Sequence, residues 1–219
     1  MTSSNDLRAR ISSLLSKHDA INDVYRRAED ALEEEMDGID WTHARPEDAK
    51  DAKDYCEHMH QSVRQAMLIL LYSCLEAGMD LIGNEFITNY ESKIRKTKKG
   101  EGSFRTRLRV FENSRIAFDS ARPNCDIAEA LRLIRNCLVH AAGRVARSTE
   151  HQKLEDAIEK VQEEGRKINC QHIDVKSGHL HLYDGILALA NSTSHGLIWR
   201  LYDAAMRDGE NRPTACGAR

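Results

Sequence analysis

Along most of the chain apolar residues recur at spacings of three, four and seven, the pattern of amphipathic helices. From about Asn5 to Met36 they stand at Leu7, Ile11, Leu14, Leu15, Ile21, Val24, Tyr25, Ala28, Ala31 and Leu32. One long helix is predicted there, with room for a bend at Asp19–Asn22 and a stop at Asp37-Gly38. A second helix starts near Pro46, a residue favoured in a first turn, and runs to about Ile87. Its apolar residues thicken from Val63 to Phe86, which marks that half as the central, most buried helix. Glu76 interrupts the apolar stretch and requires a partner.

The pattern then shortens. A helix is expected from Phe104 to about Asn113, and Asn124 or Asp126 is placed to cap the next one. That helix carries Ile127, Ala130, Leu131, Ile134, Cys137 and Leu138 on one stripe and stops at Gly143. Ser148-Thr-Glu opens a helix to about Lys167. Residues Ile168–Val175 and His179–Tyr183 alternate around Lys176-Ser-Gly178, which predicts a β-hairpin. A last helix follows from about Tyr183 to Arg207. The expected fold is therefore all-α: a helical bundle with a long N-terminal helix and a small β-hairpin before the last helix. Residues 1–45 form an N-terminal helical extension, acidic toward its end, 46–207 the helical domain, and 208–219 a flexible tail.

Composition agrees with helices. Of 219 residues 31 % are charged, only 5 % are aromatic and three are proline. A formal net charge of −3 excludes a generally basic coat for nucleic acid. Charge is uneven, however. Lys93, Arg95, Lys96, Lys98, Lys99, Arg105, Arg107 and Arg109 stand against one acid, Glu101, around a Lys99-Gly-Glu-Gly102 loop. Such a run suits phosphate contacts or a solvated face. The six cysteines are scattered without a C-x-x-C pair, against a zinc ribbon or disulfide framework. The start carries no basic segment followed by an apolar one, and the longest apolar run, Ala66 to Tyr72, falls short of the ~20 residues a bilayer needs. A reducing cytoplasm and no membrane are the expected setting.

The chemistry concentrates in Leu133-Ile-Arg-Asn-Cys-Leu-Val-His-Ala-Ala-Gly143. Asn136 and His140, four apart, lie ~40° from one another on a helix, whereas Arg135 and His140 lie ~140° apart. One helix does not easily aim both at one atom; two copies about a two-fold axis would bring an Arg and a His to a shared cleft. At the helix end the dipole favours the imidazolium of His140 by ~0.3–1 kcal/mol. Cleavage of RNA by its own 2′-hydroxyl needs a base, an acid and a fixed cation. His140 suits the first two, Arg135 is a bidentate phosphate clamp, and Asn136 orients the imidazole or holds a phosphate oxygen. No metal or cofactor is required.

Ile134-Arg-Asn-x-x-x-His140-x-x-Gly143, with Leu70-Leu-Tyr-Ser-Cys-Leu-Glu76 upstream, resembles the motifs of HEPN ribonucleases (higher-eukaryote and prokaryote nucleotide-binding domains). The resemblance covers roughly residues 60–205 and is carried by about 20 of them. It implies a HEPN-like helical bundle, a homodimer and a metal-independent endoribonuclease, in many members a toxin or antiviral-defence effector with a partner or antitoxin protein. Arg135 and His140 match the catalytic pair and Asn136 the polar residue after the Arg. Glu76 is the supporting acid, with Arg135 as its expected cation, and Lys93, Arg95, Lys96, Lys98, Lys99 and Arg105 are the RNA contacts. Members controlled by a nucleotidyltransferase antitoxin carry Tyr two residues after the His, where Ala142 stands here. A HEPN-like adaptor that binds nucleotide, RNA or a partner without cutting is the alternative. Cys56-x-His58-x-His60 and Cys170-x-His172 with His179-x-His181 also admit a metal reading, which has no support from the family pattern.

Overall fold

The computed structural model describes residues 4–38, 42, 45–96, 103–114, 116 and 121–210. Its elements run α1 (Ser4–Asp37), α2 (Pro46–Phe86), α3 (Tyr90–Arg95), α4 (Ser103–Glu112), α5 (Arg122–Ala141), α6 (His151–Lys167), β1 (Ile173–Lys176), β2 (His179–Leu182) and α7 (Gly185–Glu210). The fold is all-α with a two-stranded hairpin before the last helix. Lys98, Lys99 and the rest of the 99–102 loop lie outside the described residues, as does the tail from 211; residues 208–210 close α7.

The long helices form where the pattern puts them. Pro46 opens α2, and Glu47 and Asp48 in its first turn face the positive end of its dipole. α1 ends in a turn where Gly38 N–H donates to the Glu34 carbonyl (3.0 Å). There is no break at Asp19–Asn22. Leu7, Ile11, Leu15 and Tyr25 of α1 share one buried core with Leu68, Leu71, Leu75, Met79 and Ile82 of α2 and Leu197, Ile198 and Leu201 of α7. These three helices pack so closely that a Cβ on Gly78 would come within 2.5 Å of Ile198 Cδ1. By length and composition α2 is also the one helix among the described residues apolar enough to span a bilayer, although 44 % of that stretch is buried here.

Some boundaries differ from the periodicity. α5 starts at Arg122, ahead of both expected caps, because Pro123 sits in its first turn, where its missing N–H costs nothing. α3 was not expected: six residues are too few to show a period. Residues 168–172 are not strand. Ile168 and Cys170 instead donate their N–H groups to the Gly165 carbonyl (3.1 and 2.9 Å), which winds the chain out of α6 through Asn169 at φ 53°. The hairpin pairs Ile173 with Leu182 and Lys176 with His179. Its two turn residues, Ser177 and Gly178, both have positive φ (51° and 78°), the turn whose twist matches the strands.

One polar cluster joins α1, α2 and the entry to α7. The Arg64 side chain, 11 % exposed, donates from Nε to Asp184 Oδ1 (2.9 Å) and from its outer nitrogens to Glu29 Oε2 (3.1 Å) and the Leu182 carbonyl (3.3 Å). Tyr25 donates its hydroxyl to Asp184 (2.6 Å), and His60 Nδ1 shares Glu29 at 2.6 Å. Burial raises the Tyr25 phenol above its ordinary range, helped by its bond to Asp184. Beside it, Gln61 uses both ends of its amide on Leu182, accepting its N–H and donating to its carbonyl at 2.8 Å each. A side chain of α2 thereby acts as a strand partner for β2.

Removing one member of a buried ion cluster leaves the others charged and unmatched, at a cost of about 3–5 kcal/mol. Arg64→Ala is therefore expected to lower the unfolding free energy by about that much, measured by urea denaturation, because Glu29 is 8 % exposed and loses its cation.

His18, fully buried on α1, meets His195 of α7 with ring centroids 5.5 Å apart, and neither of its nitrogens has a hydrogen-bond partner. Burial first, and the neighbouring His195 second, lower its pKa to about 4. Asp19, 3.7 Å from His195, is the acid facing the pair. Between the free-histidine pKa and about 4 the unfolded chain holds the extra proton, so acidification favours unfolding. Stability is expected to fall as pH drops from about 6.5 toward 4. In His18→Leu that part of the loss should be absent when the two proteins are unfolded in urea at pH 7, 5.5 and 4.5.

Candidate functional site

α5 carries the Arg135–Asn136–His140 run through the bundle, and its burial pattern sorts the three. Ile134, Cys137, Leu138 and Ala141 are buried in the core. Arg135 and Asn136 are half-buried, and His140 is exposed in the last turn. Among the described residues His140 has no hydrogen bond or ion pair, so its imidazole is free to meet a ligand. Arg135 donates from NH1 to Asn136 Oδ1 (3.1 Å). Asn136, expected to serve the imidazole or a phosphate oxygen, here holds the guanidinium.

The end of α5 is fixed by backbone geometry. Ala142 takes a left-handed conformation at φ 48° and Gly143 a second at φ 73°. The left-handed position expected at Gly143 thus begins one residue earlier, on an alanine. Gly143 N–H donates back to the Cys137 carbonyl (3.1 Å), closing the helix. The chain then runs against the hairpin: Leu180 N–H donates to the Gly143 carbonyl (2.8 Å) and Val145 N–H to the Gly178 carbonyl (3.0 Å). Arg144 bridges to His179, and its Nε donates to His179 Nε2 at 3.1 Å. The hairpin, held to α2 by Gln61, therefore sets where His140 sits.

Glu76 does not pair with Arg135. Arg107 of α4 takes that carboxylate at 3.4 Å and binds Asp80 more tightly, from Nε (2.8 Å) and NH2 (2.7 Å). α4 is amphipathic, and Phe104 and Phe111 on its apolar side are fully buried. That orientation turns Arg105 and Arg107 toward acids of α5 and α2. Arg105, expected to contact RNA, donates from Nε to Glu129 Oε1 (2.6 Å). Glu129 also takes both Nε and NH2 of Arg132 (2.9 and 3.0 Å), whose NH2 reaches Glu150 at the start of α6 (3.1 Å). Arg132, 4 % exposed, is a structural cation that the sequence reading passed over. Its Glu129-x-x-Arg132 spacing was the available signal. Lys93, Arg95 and Lys96 are exposed, and Arg95 pairs with Glu91 at 3.3 Å on the surface.

The histidines and cysteines of the hairpin do not converge. His172 precedes β1, is 2 % exposed and packs against Gly165 and Gly185; burial lowers its pKa. His181 sits between Glu57, Gln61 and Lys176, and His179 faces Arg144. On α2, His60 is committed to Glu29. No group of three or more His, Cys, Asp or Glu able to hold a metal ion is present among the described residues.

Comparison with models of known families, with curated proteins and with solved structures finds no match to this chain. The HEPN likeness accordingly rests on the motif residues and the helical architecture.

A left-handed alanine is strained by roughly 1–2 kcal/mol relative to a permitted conformation. Ala142→Gly is expected to stabilise the protein by up to about 1 kcal/mol. The check is a higher denaturation midpoint with an unchanged denaturant slope.

Proposed function

We propose that this protein is a metal-independent endoribonuclease of HEPN type, in which His140 and Arg135 act on RNA at a cleft completed by a second copy. One observation carries the reading. The R-N-x-x-x-H run ends α5 with an unpartnered, exposed imidazole at a backbone-fixed position, one and a half turns from a guanidinium already oriented by the intervening Asn. In the reaction His140 removes the 2′-hydroxyl proton or protonates the leaving 5′ oxygen. Arg135 holds the phosphate as negative charge builds on it. The ~140° between the two side chains on one helix asks for a partner to supply the complementary group. Val139, 44 % exposed beside His140, gives such a partner apolar surface to cover. Lys93, Arg95 and Lys96 supply exposed cations for the RNA backbone. A toxin or defence effector is the role such an activity suits.

A non-catalytic RNA- or nucleotide-binding adaptor is the second reading. It is favoured by the half-buried setting of Arg135, whose NH1 is already bonded within the chain.

Arg135→Ala and His140→Ala are each expected to lower RNA cleavage at least 100-fold in EDTA, a loss on the scale of one catalytic acid–base or oxyanion group (about 10²–10⁴). Circular dichroism and gel filtration should show both variants folded and in the parent's oligomeric state. Cleavage undiminished in both variants sinks the nuclease reading. RNA binding by the parent protein without products selects the adaptor.

A further inference from the structure

Tyr72 lies one helical turn before Glu76 on α2, and its residue is 4 % exposed. The ring packs edge-on to Phe104 of α4, with centroids 6.0 Å apart. Phenylalanine would make that contact equally well. The hydroxyl, by contrast, is buried without a hydrogen-bond partner, a state that costs a protein about 1–3 kcal/mol per group. On α5 the Nε–H of Arg135 is buried in the same condition. These orphans belong to one neighbourhood. Glu76, Glu129, Arg132 and Arg135 are the charged groups whose fields reach the Tyr72 hydroxyl.

The surroundings limit what joins the two. Burial, reinforced by Glu76 and Glu129, holds the phenol well above the usual tyrosine range, so the hydroxyl stays protonated. Two carboxylates nearby make an anion unwelcome and a neutral oxygen acceptable. Direct contact is not made, and a polar pair beyond hydrogen-bond reach is commonly joined through one water. Water is stable at such a point when it finds two to four polar partners. The Tyr72 hydroxyl and Arg135 Nε are two, with the carboxylates next to them.

Resting on the nuclease reading of Arg135, we propose that Tyr72 is a positioning residue: its hydroxyl, through one bridging water, takes the Arg135 Nε–H and sets the tilt of the guanidinium. Nε and NH1 are then both held from inside, Nε by Tyr72 and NH1 by Asn136. NH2 is left as the edge offered to a phosphate. Tyr72 touches no substrate and acts through Arg135 alone.

Tyr72→Phe tests this by removing one oxygen and keeping the ring. Hydrogen exchange of the Arg135 Nε–H, followed by 15N NMR with assignment through Arg135→Lys, is expected to speed up about tenfold in Tyr72→Phe, as loss of one such bond implies. Unchanged exchange overturns the proposal whether or not the protein cuts RNA. In cleavage assays kcat should fall about tenfold with KM within twofold, the pattern of an interaction felt mainly in the transition state. The effect should vanish in an Arg135→Lys background, because the two residues work as a pair. A merely structural tyrosine would change thermal stability and leave kcat alone, and that outcome also overturns it. If the parent protein cuts no RNA, the nuclease reading fails by itself and the exchange measurement still decides the contact.

Discussion

Arg64 is a charged side chain placed where charge is expensive, at the meeting of α1, α2 and the start of α7. It is tolerable there because every direction it faces holds an acceptor: Glu29 from α1, Asp184 at the entry to α7 and the Leu182 carbonyl of β2. The cation works less as a source of stability than as a specification of geometry, since only one arrangement of these elements satisfies it. Once α1 and the end of β2 are placed against α2, Gln61 can reach both backbone groups of Leu182. The hairpin is then seated, and the strand-like contacts of Gly143 to Val145 follow from it.

A second set of ion pairs does the same at the other end of α2. Arg107 gathers Asp80 and Glu76, and Arg105 and Arg132 gather Glu129. α4 is thereby tied to both α2 and α5, and α5 to the start of α6. The basic segment turns out to have two characters. Its early part faces water, while two of the arginines of α4 are internal braces whose charge is already matched. What remains for nucleic acid is smaller than the raw charge count implies.

Much of the fold was readable because the long helices carry many periods each. Twelve or more residues of consistent spacing outweigh a stray Glu76 or Gly78, so α1, α2, α6 and α7 could be placed within a few residues. The hairpin was readable from its Ser-Gly turn. α3 was not, having one turn and a half, nor was the start of α5, where Pro123 moved the first turn ahead of the candidate caps. The motif residues were readable as a spacing, and their partners were not. Asp80, Glu76 and Glu129 lie 27, 31 and 24 residues from the arginines they bind. A local pattern carries no information at that range. Glu76 was rightly seen to need a cation, and the nearest cation in the motif was not the one that the fold delivered.

The length of α2 has a mechanical consequence. At 41 residues it is a rod of about 60 Å, with the Arg64 cluster near one end and the Arg107 brace near the other. A helix cannot melt in one half without fraying the ladder of the other, so what happens at the α1 junction is felt along the same rod at α4 and α5. The first 37 residues therefore do not behave as an appendage that can be cut away to leave a minimal domain. Their removal would uncover one flank of the rod that everything else is built on.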